Sequence, residues 1–587
     1  MSRRRDRRWQ LVALIGVFFL LSGIIYGKSL NNKFIQWDDG YLIVDNPTVH
    51  EISPWSVQEA FRTYDPELYI PLTMLSYQMD HLVWGLNPFG FHLTNLVLHT
   101  VNALLVMVLV YLLLCRTSWL SAACHGEELS KQSGESHESI HAAGKHLSMT
   151  HYIALFSGLL FLVHPLHTEA VAWASSRKDV LSALFFLLSV CFYLKQWKWR
   201  SILAFALGLL AKVSIVVLPV ILLLIDWFQG RNLREKNLWI EKVPYVGLST
   251  VFGIVALGGK QGNSGLLLEK VLIGCKAAVF YFTKLFWPSG LSVLYPYTES
   301  ISIGNGDLLI SLLIVIATSV VSIFLFISPS PSPPSGRGTL RSLFSFCAFF
   351  YLITLTPSFT NFAKGKDILR DVYFASDRYA YLPSIGIILL VVILIYQYIP
   401  KKYVSLPLVV IPLLALLSYQ QSRVWQNTET LFTNVVKYYP NSHLAYSNLG
   451  TLAFRREDYI QAADYYQKSL DIRPNSAAYF NLGQMLTRIN KLPEAIVMYQ
   501  KAIEQKPTDF EAYTNLGALY MEQGRFDEAT TAFVHATTIE PTFSIAHFNL
   551  GLMYERQGKL DDARSAYERV LELDPDDEEA RKKLETL

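Results

Sequence analysis

Long apolar runs recur through roughly the first 420 residues and are separated by short basic loops. A helix needs about 20 mainly apolar residues to cross a bilayer, and a segment in lipid has to satisfy its backbone hydrogen bonds internally. The chain of 587 residues is also rich in hydrophobic side chains, at 51%, and poor in charged ones, at 17%. The runs therefore predict a polytopic, all-α membrane domain over residues 1–420.

The basic residues predict how this domain crosses the membrane. Five arginines precede the first run, and cytoplasmic segments carry an excess of Lys and Arg, so we expect a cytoplasmic N-terminus. The later loops KQWKWR, RNLREK and GRGTLR fall on the same side if there are about eleven crossings. After the first helix, the expected spans are 91–115, 151–166, 179–195, 201–212, 214–228, 244–258, 307–328, 342–357, 381–399 and 404–419. The expected outer loops are 27–90, 166–178, 259–306 and 358–380.

Eleven crossings place everything after residue 420 on the outer side. The stretch 271–290 is the open point, because its lysines and aromatic side chains suit a helix lying in the outer interface. If it were a span instead, the C-terminus would be cytoplasmic and GRGTLR would lie outside. The eleven-span interpretation agrees better with the basic loops.

A repeat organises the C-terminal part. The triplet Asn-Leu-Gly recurs in steps of 33, 34 and 34 residues, beginning at Asn448, Asn481, Asn515 and Asn549. Glycine and alanine allow two antiparallel helices to approach, aromatic side chains fill the space between them, and proline ends the second helix. This pattern predicts a tetratricopeptide α-solenoid of four repeats at 441–575. A connecting helix at 421–440 would precede it, and a polar capping helix at 576–587 would close it.

The repeats indicate a protein-binding surface. From residue 441 onward there are 16 Lys and Arg against 23 Asp and Glu, a balance that does not suit nucleic acid as a partner. The four asparagines fall once per repeat on the first helix, so we expect their amides to line a groove and bind an extended peptide backbone. The alternative is that asparagine is simply common at this position of consensus repeats.

Ionisable side chains collect in the predicted outer loops and at the outer ends of spans, where they are costly and commonly functional. The candidates are Asp38, Asp39, His164, His167, Glu169, Arg177, Lys178, Asp179, Lys212, Asp377 and Arg378. Taken singly, each is explained equally well as a solvated loop charge or as a satisfied interfacial histidine. Their convergence on one side of the membrane is what favours function.

Two chemistries use such a set. In transfer from a lipid-linked phosphate, cations hold the phosphate leaving group and a carboxylate removes a proton from the acceptor hydroxyl. In a transporter, carboxylates and histidines would relay ions through a cavity. A transporter more often buries its charges in mid-span and shows an internal repeat of its membrane half, and the sequence shows neither.

Five stretches resemble one known family. They are WDDG…DNPTV, YIPLTMLSYQMD…FHLTNLVLHTVNALL, HPLHTEAVAWASSRKDVLS, FWPSGLSVLYPY and SDRYAYLPSIG, in this order and followed by the repeats. The chain thereby resembles the transmembrane and tetratricopeptide repeat-containing proteins over nearly its whole length. The resemblance implies a GT-C class glycosyltransferase with an acidic pair in its first outer loop. For eukaryotic members it implies transfer of mannose from dolichyl-phosphate mannose to proteins, with the repeats in the endoplasmic reticulum lumen.

The resemblance also implies roles for individual residues. Asp38 or Asp39 would be the general base that activates a Ser or Thr hydroxyl, and Glu169 would help bind the acceptor or a divalent cation, Mg²⁺ or Mn²⁺. The donor phosphate would be held by Arg177, Lys212 and Arg378.

Two positions depart from the family. Ile70 stands where many relatives have arginine, and Val213 stands where many have glutamate. Both changes remove charge near the expected donor site.

The sequence therefore predicts an integral, multi-pass membrane glycosyltransferase. It would move a sugar, expected to be mannose, from a polyprenyl-phosphate donor to Ser or Thr hydroxyls of proteins recruited by the repeats. The repeats would lie in the endoplasmic reticulum lumen or on the outer face of a prokaryotic plasma membrane. The alternative is a catalytically inactive, membrane-anchored scaffold, which would have no reason to gather the acidic and basic clusters around one cavity.

Overall fold

A computed structural model describes residues 2–64, 68–115, 137–258, 267–327, 337–361, 372–399 and 409–587. Within the predicted outer loops, residues 65–67, 259–266 and 362–371 lie outside the described residues. The chain forms two compact units, Met1–Asn434 and Val435–Leu587. Both are helical, which confirms the predicted fold class.

The first unit contains long helices joined by short helical turns. Its α-helices are α1 (Ser2–Tyr26), α2 (Pro47–His50), α3 (Pro54–Ala60), α4 (Pro71–Trp84), α5 (Pro88–Cys115), α6 (His137–Val163), α7 (Thr168–Ala172), α8 (Arg177–Leu194), α9 (Lys198–Ala211), α10 (Leu218–Phe228), α11 (Lys236–Gly258), α12 (Leu267–Phe286), α13 (Gly306–Ile327), α14 (Arg337–Leu355), α15 (Ser384–Tyr398) and α16 (Val410–Val424). The 3-10 turns are Gly27–Asn31, Pro165–His167, Ala174–Ser176, Val213–Val217, Thr356–Asn361 and Asp377–Ala380, and Gly40–Val44 is a π-helical turn. One small antiparallel pair joins β1 (Pro296–Tyr297) to β2 (Val372–Tyr373). Helix α17 (Thr428–Tyr438) leads into the second unit.

Several of these helices have the dimensions of membrane spans. Among the described residues, five are long and apolar enough to cross a bilayer: Trp9–Asn31, Pro88–Cys115, Lys236–Gly258, Gly306–Ile327 and Leu340–Phe359. A sixth span results if Met149–Val163 and Pro165–Ala172, bent by 55°, form one broken span. The other apolar segments are shorter, so a count of about eleven crossings stays a prediction for them. Helix α12, which covers residues 271–286 of the open stretch 271–290, is not one of the five.

Several of the predicted site residues lie at breaks between helices. His164 precedes a proline and is extended, with φ −75° and ψ 127°, because the proline ring disfavours the helical region for the residue before it. The chain then winds through short turns until α8 begins at Arg177. Lys212 occupies a second break, with φ −163° and ψ 128°, between α9 and the following 3-10 turn. Arg378 lies in a third break, the turn Asp377–Ala380.

The second unit consists of paired helices. They are α18 (His443–Arg455), α19 (Tyr459–Ile472), α20 (Ser476–Arg488), α21 (Leu492–Gln505), α22 (Phe510–Glu522), α23 (Phe526–Ile539), α24 (Ser544–Arg556), α25 (Leu560–Leu573) and α26 (Glu578–Thr586). In each pair the glycine of Asn-Leu-Gly faces an aromatic ring of the second helix. A Cβ atom at Gly517 would lie 2.8 Å from Phe533, and one at Gly551 would lie 2.7 Å from Tyr567. This close approach is the packing that the repeat pattern predicts.

Candidate functional site

The two adjacent aspartates lie in different surroundings. Asp39 is fully buried and accepts hydrogen bonds from the backbone N–H of Ile35 at 2.7 Å, from that of Ser175 at 2.9 Å, and from the Ser175 hydroxyl. The side chain of Asp38 is 34% exposed, and its carboxylate lies 3.8 Å from the Lys178 ammonium. Asp39 therefore anchors the loop to the 174–176 turn, and Asp38 is the carboxylate that a substrate can reach.

Burial perturbs the pKa values of this region. Burial raises the pKa of Asp39 to about 6, although the hydrogen bonds from Ser175 and Ile35 oppose the rise. Burial also lowers the pKa of Lys178 to about 8. The charges of Asp38, Arg378, Asp179 and Lys212 all act on Lys178. The acidic loop and the cationic residues are thus close enough to form one electrostatic cluster.

Three predicted site residues meet around one pocket. The Lys212 ammonium is paired with an Asp179 carboxylate oxygen, and both side chains are buried. The second carboxylate oxygen, Oδ2 of Asp179, lies 3.9 Å from Nε of Arg378. Neither of these two buried atoms has a hydrogen-bond partner among the described residues. The two atoms thus face each other as a buried ion pair that is too long for a hydrogen bond.

The pocket itself encloses about 520 Å³, including its open mouth. Its polar lining comprises Asp179, Ser182, Lys212, Ser214, Thr354, Ser358, Arg378, Tyr379 and Tyr381, and its apolar lining comprises Ile215, Val217, Pro357, Leu382 and Pro383. Hydroxyls and cations share this pocket with an apolar wall. Such a lining suits an amphiphilic ligand that carries an anionic, hydroxyl-rich group.

Glu169 fixes the orientation of Arg378. One Glu169 oxygen accepts from Nη1 of Arg378 at 2.5 Å and from the Ser376 hydroxyl at 2.6 Å. The Arg378 guanidinium also contacts the rings of Trp173 and Tyr379, 4.8 and 5.0 Å from their centroids. The guanidinium is thus held by one carboxylate and two aromatic rings.

Asp377 points away from this arrangement. It is buried and accepts a hydrogen bond from the Tyr295 hydroxyl at 2.7 Å. Burial, and to a smaller extent the neighbouring Glu169, raise the pKa of Asp377 well above its ordinary value. Its partner Tyr295 directly precedes β1 and is not part of the pocket lining.

Arg177 also has its partners inside the fold. Arg177 is fully buried and donates to Asn95 at 2.5 Å, to Asp80 at 2.6 Å and to the Phe91 carbonyl at 2.8 Å. Its contacts thus lie with α4 and α5, whereas its neighbour Lys178 faces Asp38.

The histidines hold the bend between α6 and α7. A ring nitrogen of His164 contacts the Leu285 carbonyl at 3.0 Å, and His167 contacts the Phe161 carbonyl at 2.8 Å and the Ser384 hydroxyl at 3.0 Å. Among the residues that the structure describes, no group of three or more His, Cys, Asp or Glu side chains is placed to hold a metal ion.

The four repeat asparagines occupy equivalent positions. Asn448, Asn481, Asn515 and Asn549 are each the sixth residue of the first helix of their pair and are half-buried. The Asn448 amide donates to the Leu444 carbonyl of its own helix at 2.8 Å. The four positions are therefore equivalent, the first amide is engaged within its own helix, and the binding of a peptide by these amides stays a prediction.

Sequence reasoning did not single out several residues of this site. Ser175 and Ser376 hold the two key carboxylates, and Trp173 supports Arg378. Ser175 and Trp173 do lie inside the HPLHTEAVAWASSRKDVLS stretch, which marks them as candidates. Their partners are far away in the sequence, so their contacts could not be predicted. Lys178 was noted only as part of a charged loop, with no role.

Comparisons with known proteins identify repeats in the C-terminal part of the chain. A family model described as TPR repeat matches residues 483–524, and models described as tetratricopeptide repeat match residues 443–476 and 514–578. The solved structure of MamA protein is 27% identical with a TM-score of 0.24, and the match covers 25% of this chain and 81% of that one. The family models confirm the predicted repeats.

Curated relatives carry a common name. Human protein O-mannosyl-transferase TMTC1 is 33% identical over 205 residues, which cover 33% of this chain and 19% of that protein. Human protein O-mannosyl-transferase TMTC4 is 30% identical over 186 residues, covering 30% of this chain and 22% of that protein. The matches thus span about a fifth of the length of these relatives. The chain carries tetratricopeptide repeats and is similar in sequence to protein O-mannosyl-transferases of the transmembrane and tetratricopeptide repeat family, which confirms the resemblance seen in its motifs.

Proposed function

We propose that this chain is a membrane glycosyltransferase of the GT-C class that moves mannose from a polyprenyl-phosphate donor, dolichyl phosphate mannose in a eukaryote, to Ser or Thr hydroxyls of proteins. The observation that carries the proposal is the pocket beside Lys212, where Nε of Arg378 and Oδ2 of Asp179 form only a long ion pair and have no hydrogen-bond partner in the part of the chain that the structure describes. A glycosyl phosphate satisfies both atoms, because its phosphate oxygens accept hydrogen bonds and its sugar hydroxyls donate them.

The pocket suits the leaving group of such a reaction. A phosphodiester develops negative charge as its bond to the sugar breaks, and the Lys212 ammonium and Arg378 guanidinium stabilise that charge in a site with little water. The apolar wall of Ile215, Val217 and Leu382 suits the first part of a polyprenyl chain.

Asp38 is the proposed general base. Its exposed carboxylate takes the proton of the acceptor hydroxyl as the hydroxyl oxygen attacks the anomeric carbon of the sugar. A bond forms between that oxygen and the carbon, the bond from the carbon to the phosphate oxygen breaks, and polyprenyl phosphate leaves. Lys178 lies beside Asp38 and balances its charge. Asp39 holds the loop in place and does not itself touch substrate.

The remaining predicted roles follow from this arrangement. Glu169 orients Arg378, and the repeats recruit acceptor proteins through the groove lined by the four asparagines. The proposed topology keeps the N-terminus in the cytoplasm and places the site and the repeats on the outer side. The alternative of an inactive scaffold is less well supported, because a scaffold gains nothing from gathering Asp38, Lys178, Asp179, Lys212 and Arg378 in one cluster.

Mass spectrometry of secretory or outer-compartment proteins tests the proposal. Cells that lack the gene are complemented with the wild-type chain, with Asp38→Asn, or with Glu51→Gln as a matched control, since Glu51 is an exposed carboxylate of the same loop. We expect O-linked hexose on Ser or Thr with the wild type and the control, and its loss with Asp38→Asn. Unchanged hexose occupancy in cells without the gene would refute the transferase and favour the scaffold.

A further inference from the structure

Residues just before the repeats contact the acidic loop directly. The backbone N–H of Lys33 donates to the Gln426 carbonyl at 3.0 Å, and the backbone N–H of Gln36 donates to the Thr428 hydroxyl at 3.0 Å. Gln36 is two residues before Asp38 in the chain. All of these residues belong to the first unit.

Aromatic rings make a second connection to the same loop. Trp37 stacks on Trp173 with a centroid distance of 5.8 Å, and Trp173 stacks on Trp425 at 5.4 Å. Phe432 packs against the other side of Trp37, at 6.0 Å. Trp425 and Phe432 are almost completely buried, at 1% and 0% exposure. We call Trp425, Gln426, Thr428 and Phe432 the clamp residues.

We infer that the clamp residues position the catalytic acidic loop, so that the segment leading into the repeats is part of the transferase site. The inference rests on the proposed function. The contacts of the clamp residues are with Lys33, Gln36 and Trp37 of the loop and with the Trp173 ring, so the clamp residues act by holding the loop before Asp38. They are positioning residues, and Thr428 is the most informative because its side chain makes a single bond to this loop.

The clamp contacts are few, but they should have a large effect on the rate of the reaction. Asp39 fixes the loop from one side through Ser175 and Ile35, and the clamp residues fix it from the other side. Asp38 has only a long ion pair of its own, at 3.8 Å. The direction of its carboxylate therefore depends on the backbone on either side of it. General-base catalysis needs the carboxylate within hydrogen-bond reach of the acceptor hydroxyl, and a misplacement of about 1 Å can reduce the rate about 100-fold.

The test compares three substitutions in the full-length chain. Thr428→Val keeps the shape of the side chain and removes the acceptor for Gln36, Thr428→Ser keeps the hydroxyl, and Thr433→Val is the matched control. Thr433 is an exposed threonine of the same helix, α17. The assay measures kcat and the donor KM with polyprenyl-phosphate mannose and a Ser/Thr acceptor peptide, together with hydrogen exchange of the amides of residues 33–38.

We expect Thr428→Val to lower kcat about tenfold or more with an unchanged donor KM, and to speed amide exchange at Gln36. Thr428→Ser should restore both, and Thr433→Val should change neither. A Thr428→Val enzyme with wild-type kcat and wild-type exchange overturns the inference while leaving the proposed function standing. An inactive wild-type chain refutes the proposed function, and the exchange measurement still decides whether the clamp holds the loop.

A second variant covers the case in which Thr428→Val does not fold. Phe432→Leu removes the ring beside Trp37 but keeps an apolar side chain in the same buried space. We expect a lower kcat, an unchanged donor KM and faster exchange near Trp37. A Phe432→Leu enzyme that matches the wild type in all three would contradict the role of the clamp.

Discussion

Substitutions of Lys212 can show whether this residue stabilises the fold, binds the donor phosphate, or does both. Its ammonium is paired with Asp179, and the two side chains are 7% and 8% exposed. Replacing Lys212 by Met keeps the length of the side chain but leaves the Asp179 carboxylate buried without its closest partner. Removing one member of a buried pair costs about 3–5 kcal/mol of folding free energy. Arg378, with Nε 3.9 Å from the other Asp179 oxygen, offsets part of this cost, so we expect about 3 kcal/mol.

A double variant distinguishes the two roles. Lys212→Met combined with Asp179→Leu removes both charges, and apolar replacement of a buried ion pair is often neutral or stabilising by about 1–4 kcal/mol. We expect the double variant to recover most of the lost stability, measured by thermal unfolding in detergent. Donor binding should not recover, because a charge-assisted hydrogen bond to phosphate contributes about 1.5–3 kcal/mol. The donor KM should therefore stay about 10- to 100-fold above that of the wild type.

Two outcomes would refute this reasoning. A double variant with the wild-type donor KM would mean that Lys212 serves only as the partner of Asp179. A single Lys212→Met variant as stable as the wild type would mean that the buried Asp179 carboxylate does not need Lys212 as its partner. Asp179→Leu alone leaves the Lys212 ammonium unpaired, and its stability completes the double-mutant cycle of the two residues.

Two further predictions concern the loop and the repeats. Because burial raises the pKa of Asp39 from 3.8 to about 6, the folded state binds a proton more readily than the unfolded state, and stability falls as the pH rises through 6. The wild type should lose on the order of 3 kcal/mol between pH 4 and pH 7 relative to Asp39→Asn, measured by chemical unfolding; parallel curves would contradict this. Gly517→Ala should destabilise by about 1–3 kcal/mol because its Cβ would lie 2.8 Å from Phe533, whereas Gly247→Ala, with open space at its Cβ, should not. Equal melting temperatures for both variants would contradict the packing argument.

The repeat unit could be predicted closely from the sequence because each repeat carries its own determinants. Gly517 and Phe533 belong to one helix pair, so the spacing of two nearby residues reports a contact that the structure then contains. The apolar membrane helices are predictable for a similar reason, since hydropathy is a property of a single continuous segment. The break at Lys212 also falls where the sequence predicts a boundary, between the expected spans 201–212 and 214–228.

The candidate site was only partly predictable because its contacts join distant segments. Arg177 and Lys178 are adjacent cations at the start of one helix, and only the family resemblance gave Arg177 rather than Lys178 a role at the donor phosphate. The structure directs Arg177 into a network with Asn95 and Asp80, and it directs Lys178 towards Asp38. Which cation is used inside the fold depends on where α4 and α5 pack, and that is decided only by tertiary structure.

Ile70 and Val213, the two positions expected to differ from many relatives, each lie within three residues of one contact between α4 and α9. Ile70 is 2% exposed within an apolar cluster that includes Met74 and Tyr77 at the start of α4. The Thr73 hydroxyl donates to the Ala211 carbonyl at 3.0 Å, which holds this end of α4 against the segment containing Val213. An arginine and a glutamate at these two positions would have opposite charges, so losing both together leaves the net charge of the site unchanged.

A double-mutant cycle can examine whether the two departures are coupled. Ile70→Arg alone would bury an unpaired cation and should destabilise by about 3 kcal/mol or more, and Val213→Glu, at a half-buried position, should cost less. If the two side chains can pair, the double variant should cost about 1 kcal/mol less than the sum of the single variants, in unfolding free energy. Additive costs would mean that Ile70 and Val213 changed independently. A positive coupling would identify the apolar pair as the replacement of an ion pair, and the cations that remain to hold the donor would then be Lys212 and Arg378.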